Sequence, residues 1–375
     1  MALLTAYPAR GGTIRGLLLL AVLALTSGGW AFGVEPPAAA DRGWRMRTFM
    51  ISHWSFPKDE TRLKLFAQAG FNTVIATPQE LPACRRHGWQ ALLAVEAEKA
   101  GDYVRDPIIW GYFVFDEPAL KKIGYETFAR RMEALHKLDP TRPAYINLNE
   151  KDDPDKFIKL LAPRVLSYDY YQWWATPEPF FPLLEKFRRA ALGANIPLIC
   201  WVEAVAAAHG PAPPDNEAKL RHSVYSALAY GAKGIQWWAW RPDNHDTQKI
   251  NAELKVLGPT LLTLTSVDVF HTAPLPPQTR ALPADHWVQS ATESLLLGLF
   301  KDADGNDFIL ATNRNWNAAT QATLTFSGPI SAVSMLDRNT GNWVDLQLTA
   351  PGNQKTISLQ LAPGDGVLLR ITRNK

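Results

Sequence analysis

The stretch that decides the fold is 108-IIWGYFVFDE-117, read together with 196-IPLICWVE-203. Each is an apolar run of strand length that ends on a glutamate. Working outward, runs of the same kind recur along the chain: RTFMISHW (47–54), FNTVIATP (71–78), WQALLAVE (89–96), PAYINLNE (143–150), RVLSYDYY (164–171) and KGIQWWAW (233–240). Segments of helical spacing lie between most of them. In DETRLKLFAQAG, Leu63, Phe66 and Ala67 share a face, and YETFARRMEALHKLD stops at Pro140. Counted in order, the two quoted runs are the fourth and seventh of eight strands. This alternation predicts a (β/α)8 TIM barrel over residues 44–270, with every strand end opening on one face. An open doubly wound sheet would need a glycine-rich phosphate turn early in the chain, and none occurs.

Beyond residue 270 the helical spacing stops. Residues 271–283, HTAPLPPQTRALP, are proline-rich and read as a linker. Residues 284–375 carry short strand patterns broken by DG, TGN and PGDG turns, which predicts a small antiparallel β-sandwich. The turn Asp302 to Asp307 has the look of a calcium loop but lacks the downstream glutamate, so a hairpin turn is expected.

At the other end, Arg10 and Arg15 precede an apolar run from Gly16 to Thr26, and Ala31 and Gly33 stand at the small-residue positions of a cleavage site. Residues 1–33 therefore read as a signal peptide, and the mature chain as exported, periplasmic or extracellular, without stable membrane insertion. Removing the segment lowers the formal charge from +3 to +1, which points away from nucleic acid as a partner. The two cysteines, Cys84 and Cys200, fall on separate sectors of the barrel, so no disulfide joins them.

The order of elements, the acid after strand four in WGYFVFDEP, the acid after strand seven in WVEA and the aromatics of IQWWAW together resemble the clan of retaining (β/α)8-barrel glycoside hydrolases. In outline the chain is similar to the family 42 β-galactosidases, in which a trailing β-sandwich is common. The resemblance implies an O-glycosidic hydrolase acting by double displacement on an oligo- or polysaccharide, with Glu117 as acid/base and Glu203 as nucleophile. Glu117, beside Asp116 and facing Glu203, would have its pKa raised by like charge. Family members usually carry Asn before the acid/base; Asp116 stands there, and an aspartate accepts from a sugar hydroxyl but donates only when protonated.

Strand ends nominate the rest of the pocket: His53 and Trp54 at strand one, Glu96 at strand three, Asn147, Asn149 and Glu150 at strand five, Tyr168, Asp169 and Tyr170 at strand six, and Trp237, Trp238 and Trp240 at strand eight. Trp173 and Trp174, in the loop after strand six, are candidates for stacking on further sugar units. Alternation along a strand lets only about half of such residues face the cleft. No His, Asp and Glu spacing forms a metal site, and no cofactor is expected. Fourteen tryptophans favour a carbohydrate ligand weakly. The alternative is a catalytically inactive carbohydrate-binding barrel; a serine hydrolase would show a G-x-S-x-G turn, which the chain lacks.

Overall fold

The eight apolar runs close into a parallel barrel in the computed structural model, which describes residues 44–175, 177–207, 211–349 and 354–374. The expected signal peptide lies outside the described residues. The strands are β1 (Met50–His53), β2 (Thr73–Ala76), β3 (Gln90–Ala94), β4 (Ile109–Asp116), β5 (Ala144–Leu148), β6 (Leu166–Asp169), β7 (Leu198–Glu203) and β8 (Ala232–Trp238). They pair in chain order, and β8 closes on β1. The connecting helices are α1 (Glu60–Gln68), α2 (Leu81–His87), α3 (Glu126–Leu138), α4 (Pro154–Leu161), α5 (Phe180–Gly193), α6 (Asn216–Ala229) and α7 (His245–Thr263). A 3₁₀ helix at Ala97–Tyr103 joins β3 to β4. Among the described residues no helix is long and apolar enough to cross a membrane, and Cys84 and Cys200 are buried and unpaired.

Strand alternation sorts the side chains into two cores. Met50, Leu92, Trp110, Tyr145, Val165 and Ile199 fill the barrel interior. Ile51, Val74, Leu93, Ile146, Leu166 and Cys200 face the layer shared with the helices. Counting by twos from the interior residues carries Asn147, Asp169 and Glu203 onto the inner face at the strand ends. In β4 the register shifts between Phe113 and Phe115. Phe115 consequently packs outward on Phe128 of α3, with ring centroids 4.7 Å apart, and Asp116 takes the inner position.

The C-terminal strands are β9 (Thr265–His271), β10 (Val288–Gln289), β11 (Leu295–Lys301), β12 (Asp307–Asn313), β13 (Thr320–Phe326), β14 (Ile330–Leu336), β15 (Trp343–Asp345), β16 (Lys355–Leu361) and β17 (Gly366–Arg373). They form a six-stranded sheet, β15-β14-β17-β12-β11-β9, and a three-stranded sheet, β10-β13-β16, around a second apolar core. Two sequence boundaries shift. Residues 265–270, assigned above to the barrel, belong to β9 and pair with β11, because their alternation matches a strand and not the preceding helix. Residues 271–283 fold back on the end of β9 instead of acting as a free tether: the His271 N–H donates to Arg280 O, and the Leu282 N–H donates to His271 O.

Helix α6 is the seam between barrel and sheets. It is buried nearly all round, from Leu220 and His222 to Ala229, which is why its sequence shows no clear polar face. Glycines let the sheet backbone approach it. A Cβ at Gly298 would lie 2.2 Å from the Ala229 carbonyl oxygen, and one at Gly364 would lie 2.0 Å from that of Ala218. Gly298→Ala is therefore expected to cost about 1–3 kcal/mol, as overpacking does. Denaturant unfolding would read this as a lower midpoint at unchanged slope; an unchanged midpoint would show that the sheet rides loosely on α6.

Candidate functional site

Four carboxyl groups stand on the inner face or the rim at the C-terminal ends of the barrel strands. Asn147 of β5 connects two of them. Its Nδ2 donates to Asp116 Oδ1 at 3.3 Å and to Asp169 Oδ1 at 3.2 Å. Those two oxygens are thus no farther apart than the 6.5 Å of both legs together. Asn147 is itself fixed, since its Oδ1 accepts from Ser167 Oγ at 2.9 Å. Beneath lies a buried polar layer in which Tyr145 Oη bonds Ser167 and Gln236 and accepts from Trp201 Nε1.

Glu117 follows directly after β4 with φ +50°, a left-handed conformation uncommon for a residue with a side chain. Its N–H donates to Asn147 O at 2.9 Å. Its carboxyl turns toward Asp169, and the two share a hydrogen bond. Burial first, then the Asp116 charge, raises the Glu117 pKa. Asp169 is only 5 % exposed, and burial, then the Glu117 and Asp116 charges, raises it well above the carboxylate range. Burial and the neighbouring carboxylates raise both groups, so the pair shares a proton. Tyr171 donates to Asp169 as well. Asp116 is ion-paired to Lys121 at 2.9 Å.

Glu117 is raised by burial and the Asp116 charge and lowered by its bonds to Asp169 and Asn149 and by the Lys121 charge. Glu203 is fully buried; Oε1 accepts the Trp173 N–H at 2.9 Å, and Oε2 has no partner. Burial alone pushes its pKa up to about 7. Below the unfolded-state value of about 4.3 this carboxyl is neutral in both states and carries no penalty. As pH rises to about 7 the unfolded chain ionises while the folded one does not. Stability then falls by up to roughly 3 kcal/mol and levels off. Glu203→Gln, neutral throughout, is expected to escape that fall, so its Tm advantage over the parent should grow between pH 4.5 and pH 8. A constant difference across that range would mean that Glu203 ionises in the folded protein as freely as in the unfolded one.

The aromatic expectations divide by strand face. Trp54 lies against Phe113, Trp201 and Trp238, with ring centroids 5.7, 5.4 and 5.8 Å away. Tyr171 stacks on Trp238 at 6.4 Å, continuing the wall toward the carboxyl cluster. Four candidates are corrected. Tyr168 points outward and stacks on Phe187 of α5 at 4.1 Å. Trp237 also points outward and is fully buried, its Nε1 bonding Asn251 of α7. Tyr170 is packed in the outer core, and Trp240 lies among Phe66, Phe71 and His53 on the helix side. The loop tryptophans are drawn away as well: Trp173 Nε1 bonds Lys219 O and Ser223 Oγ, and Trp174 Nε1 bonds Val205 O. Trp201, Phe113 and Tyr171 were not singled out from the sequence, whereas Asp169 and Asn147 stood among the strand-end residues named for the pocket. Alternation in 165-VLSYD-169 was the signal that could have preferred Asp169 over its tyrosine neighbours.

A cavity of about 560 Å³ opens at the opposite end of the barrel, among Trp44, Arg164, Arg188 and Lys233. Its lining holds no carboxyl group. Among the described residues no group of three or more His, Cys, Asp or Glu side chains is arranged to hold a metal ion.

The sequence matches no family model and no curated protein. Solved structures do resemble it in fold. A candidate α-galactosidase from Bacteroides fragilis NCTC 9343 is 11% identical with a TM-score of 0.51, the match covering 88% of this chain and 80% of that one. A second, a candidate α-galactosidase/melibiase from the same organism, is also 11% identical at a TM-score of 0.51, over 87% of this chain and 79% of the other. These likenesses establish the barrel with its C-terminal sheets. The narrower family 42 outline gains no support from them.

Proposed function

We propose that the chain is a glycoside hydrolase in which Asp169 is the acid/base and Asp116 the nucleophile. The observation that carries this reading is the single Asn147 amide spanning both carboxyl groups, which holds their oxygens within 6.5 Å. Retaining enzymes keep the pair about 5–5.5 Å apart, whereas inverting ones need roughly 6.5–9.5 Å to admit a water between sugar and base. Protonated Asp169 gives its proton to the leaving glycosidic oxygen as Asp116 attacks the anomeric carbon. Asp169 then takes a proton from the water that releases the sugar. Glu117 shares the proton with Asp169 and holds it in the buried site. The wall of Trp54, Trp238 and Tyr171 offers flat apolar faces of the kind that sugar rings stack on. Two proteins of the same fold bear α-galactosidase names, which makes 4-nitrophenyl α-D-galactopyranoside the first probe. An exported location, read from residues 1–33, would place the substrate among extracellular glycans.

The competing assignment on the same fold is the one read from sequence, with Glu117 as acid/base and Glu203 as nucleophile. A panel of 4-nitrophenyl glycosides against the parent and the Asp116→Asn, Asp169→Asn, Glu117→Gln and Glu203→Gln variants separates them. The reading expects Asp116→Asn and Asp169→Asn to be near-inactive and Glu203→Gln to turn over. Loss in Glu203→Gln with turnover in Asp116→Asn hands the reaction to the other pair. Sugar binding without turnover of any panel member by the parent leaves a carbohydrate-binding barrel.

A further inference from the structure

The cavity at the opposite end of the barrel, about 560 Å³, lies within the range of roughly 300–1,000 Å³ that small-molecule sites occupy. Every charged side chain in its lining is basic: Arg45, Arg164, Arg188 and Lys233. The whole chain is nearly balanced, 39 basic residues against 36 acidic ones, so the excess is local. Two of the cations are anchored on one short segment at the junction of α7 and β9. Lys233 Nζ donates to Leu261 O and Leu264 O, and Arg188 Nε donates to Ser266 Oγ at 2.8 Å. Arg188 is 5 % exposed. Its Nη1 goes to Glu185, while its Nη2 has no protein partner among the described residues and remains accessible. Lys233 keeps one of its three N–H donors, and burial, with no carboxylate to offset it, lowers its pKa to about 8. Carbonyl oxygens at helix C-termini would repel an anion at this end, but they are taken. Lys233 covers those of α7, and in α5 Ala191 O and Leu192 O accept from the N–H groups of Ile196 and Asn195. Asp302 and Asp304 flank Ala303 without lining the cavity themselves. Trp44 supplies an apolar wall, packed against the barrel interior and edge-on to Trp110 of β4 at 5.4 Å.

We propose that this cavity binds a small organic anion, with its carboxylate or phosphate group on Lys233 and Arg188 and its apolar face on Trp44. The site is separate from the carboxyl cluster at the strand C-terminal ends, and the inference stands without the hydrolase reading. An anionic oxygen group accepts the third Lys233 N–H and the open Arg188 Nη2 donors, and such charge-assisted bonds are shorter and stronger than neutral ones. Inside a cavity they are also screened less by salt than on the open surface. Arg164, whose Nη1 donates to Asp139 O and Arg142 O, and the exposed Arg45 add positive potential around the same space. A bare inorganic ion would leave most of the volume and the Trp44 wall unused, which is why the ligand is assigned an organic body.

Isothermal titration of the full chain with phenyl phosphate, benzoate and phenol, at fixed ionic strength and neutral pH, tests this. One or both anions are expected to bind at one site per chain, and phenol about tenfold more weakly or not at all. The same titrations separate the two sources of charge: tighter phenyl phosphate assigns the ligand to phosphate esters, and tighter benzoate assigns it to carboxylic acids. Lys233→Met is expected to weaken anion binding by about tenfold or more. Lys233 also holds the end of α7, so a second variant leaves that contact intact. Leu192→Glu, at a lining residue that is 39 % exposed, brings a carboxylate to the cavity and should weaken the anions by a similar factor while leaving phenol unchanged. Thermal melts without ligand identify the variants that are folded. No binding of either anion up to about 10 mM overturns the proposal. So does phenol binding as tight as that of the anions, or anion affinity unchanged in every variant that folds.

Discussion

Asp169→Asn is expected to lower kcat/KM by roughly three orders of magnitude, about 4 kcal/mol of lost transition-state stabilisation. The substitution keeps shape and volume: an asparagine there can still accept from Asn147 and Tyr171, so the fold should survive. What it removes is the proton. In the proposed mechanism Asp169 supplies it, and burial and two neighbouring carboxylates all disfavour its ionised form. An amide cannot protonate a leaving oxygen. The parent should therefore lose activity as pH rises and the raised Asp169 group gives up its proton. The residual activity of the variant should lack that alkaline limb. Substrates with a leaving group as acidic as 2,4-dinitrophenol need less help from an acid, so the loss on them should shrink by about tenfold or more. Equal loss on good and poor leaving groups would remove Asp169 from the acid role. Full activity would remove Asp169 from the chemistry.

The second large effect is on stability. Asp365→Ala is expected to destabilise the protein by about 3–5 kcal/mol, the usual result of removing one partner from a buried ionic cluster. Asp365 is 5 % exposed and lies just before β17. It accepts from Arg338 Nη1 and Nη2 at 2.6 and 2.8 Å, and from Arg221 Nη1 at 3.1 Å. Arg221 belongs to α6, and its guanidinium also pairs with Glu253 of α7 at 2.8 Å through two nitrogens. Without Asp365, Arg221 keeps Glu217 and Glu253, while Arg338 is left with Tyr225 Oη and the Glu253 carboxylate it shares with Arg221. The cluster ties the sheets to two barrel helices, so Asp365→Ala should lower the cooperative unfolding of the whole described chain. Calorimetry would show one transition displaced downward. Two separate transitions, with the barrel melting at its original temperature, would mean that the sheets do not contribute to the stability of the barrel.

Much of the architecture is visible in the amino-acid order. The eight runs from RTFMISHW to KGIQWWAW contain the eight barrel strands except Ala232, the first residue of β8, and the turn-punctuated segments after residue 283 contain the C-terminal strands β10 to β17. Periodicity reports burial face by face, and burial drives both patterns. Residues 265–270 were harder to read, since the alternation of TSVDVF directly after a long helix carries no break: Thr265 follows Thr263 of α7 by two residues. The carboxyl cluster was legible only in part. Asp116, Glu117 and Glu203 stand out because each ends an apolar run. Asp169 is surrounded by tyrosines that attract attention but point the other way, Tyr168 onto Phe187 and Tyr170 into the outer core.

What the sequence by itself determined is therefore the order of strands and helices, the closure into a barrel, and the confinement of several carboxyl groups to one face, because these follow from local periodicity and from the common direction of parallel strands. What the tertiary structure decided is which of those groups act together. The register shift in β4 and the Asn147 bridge from β5 join residues 31 positions apart in the chain. Pairing across strands and loops depends on side-chain direction and on the depth of burial, and neither is encoded in the spacing of residues along one strand.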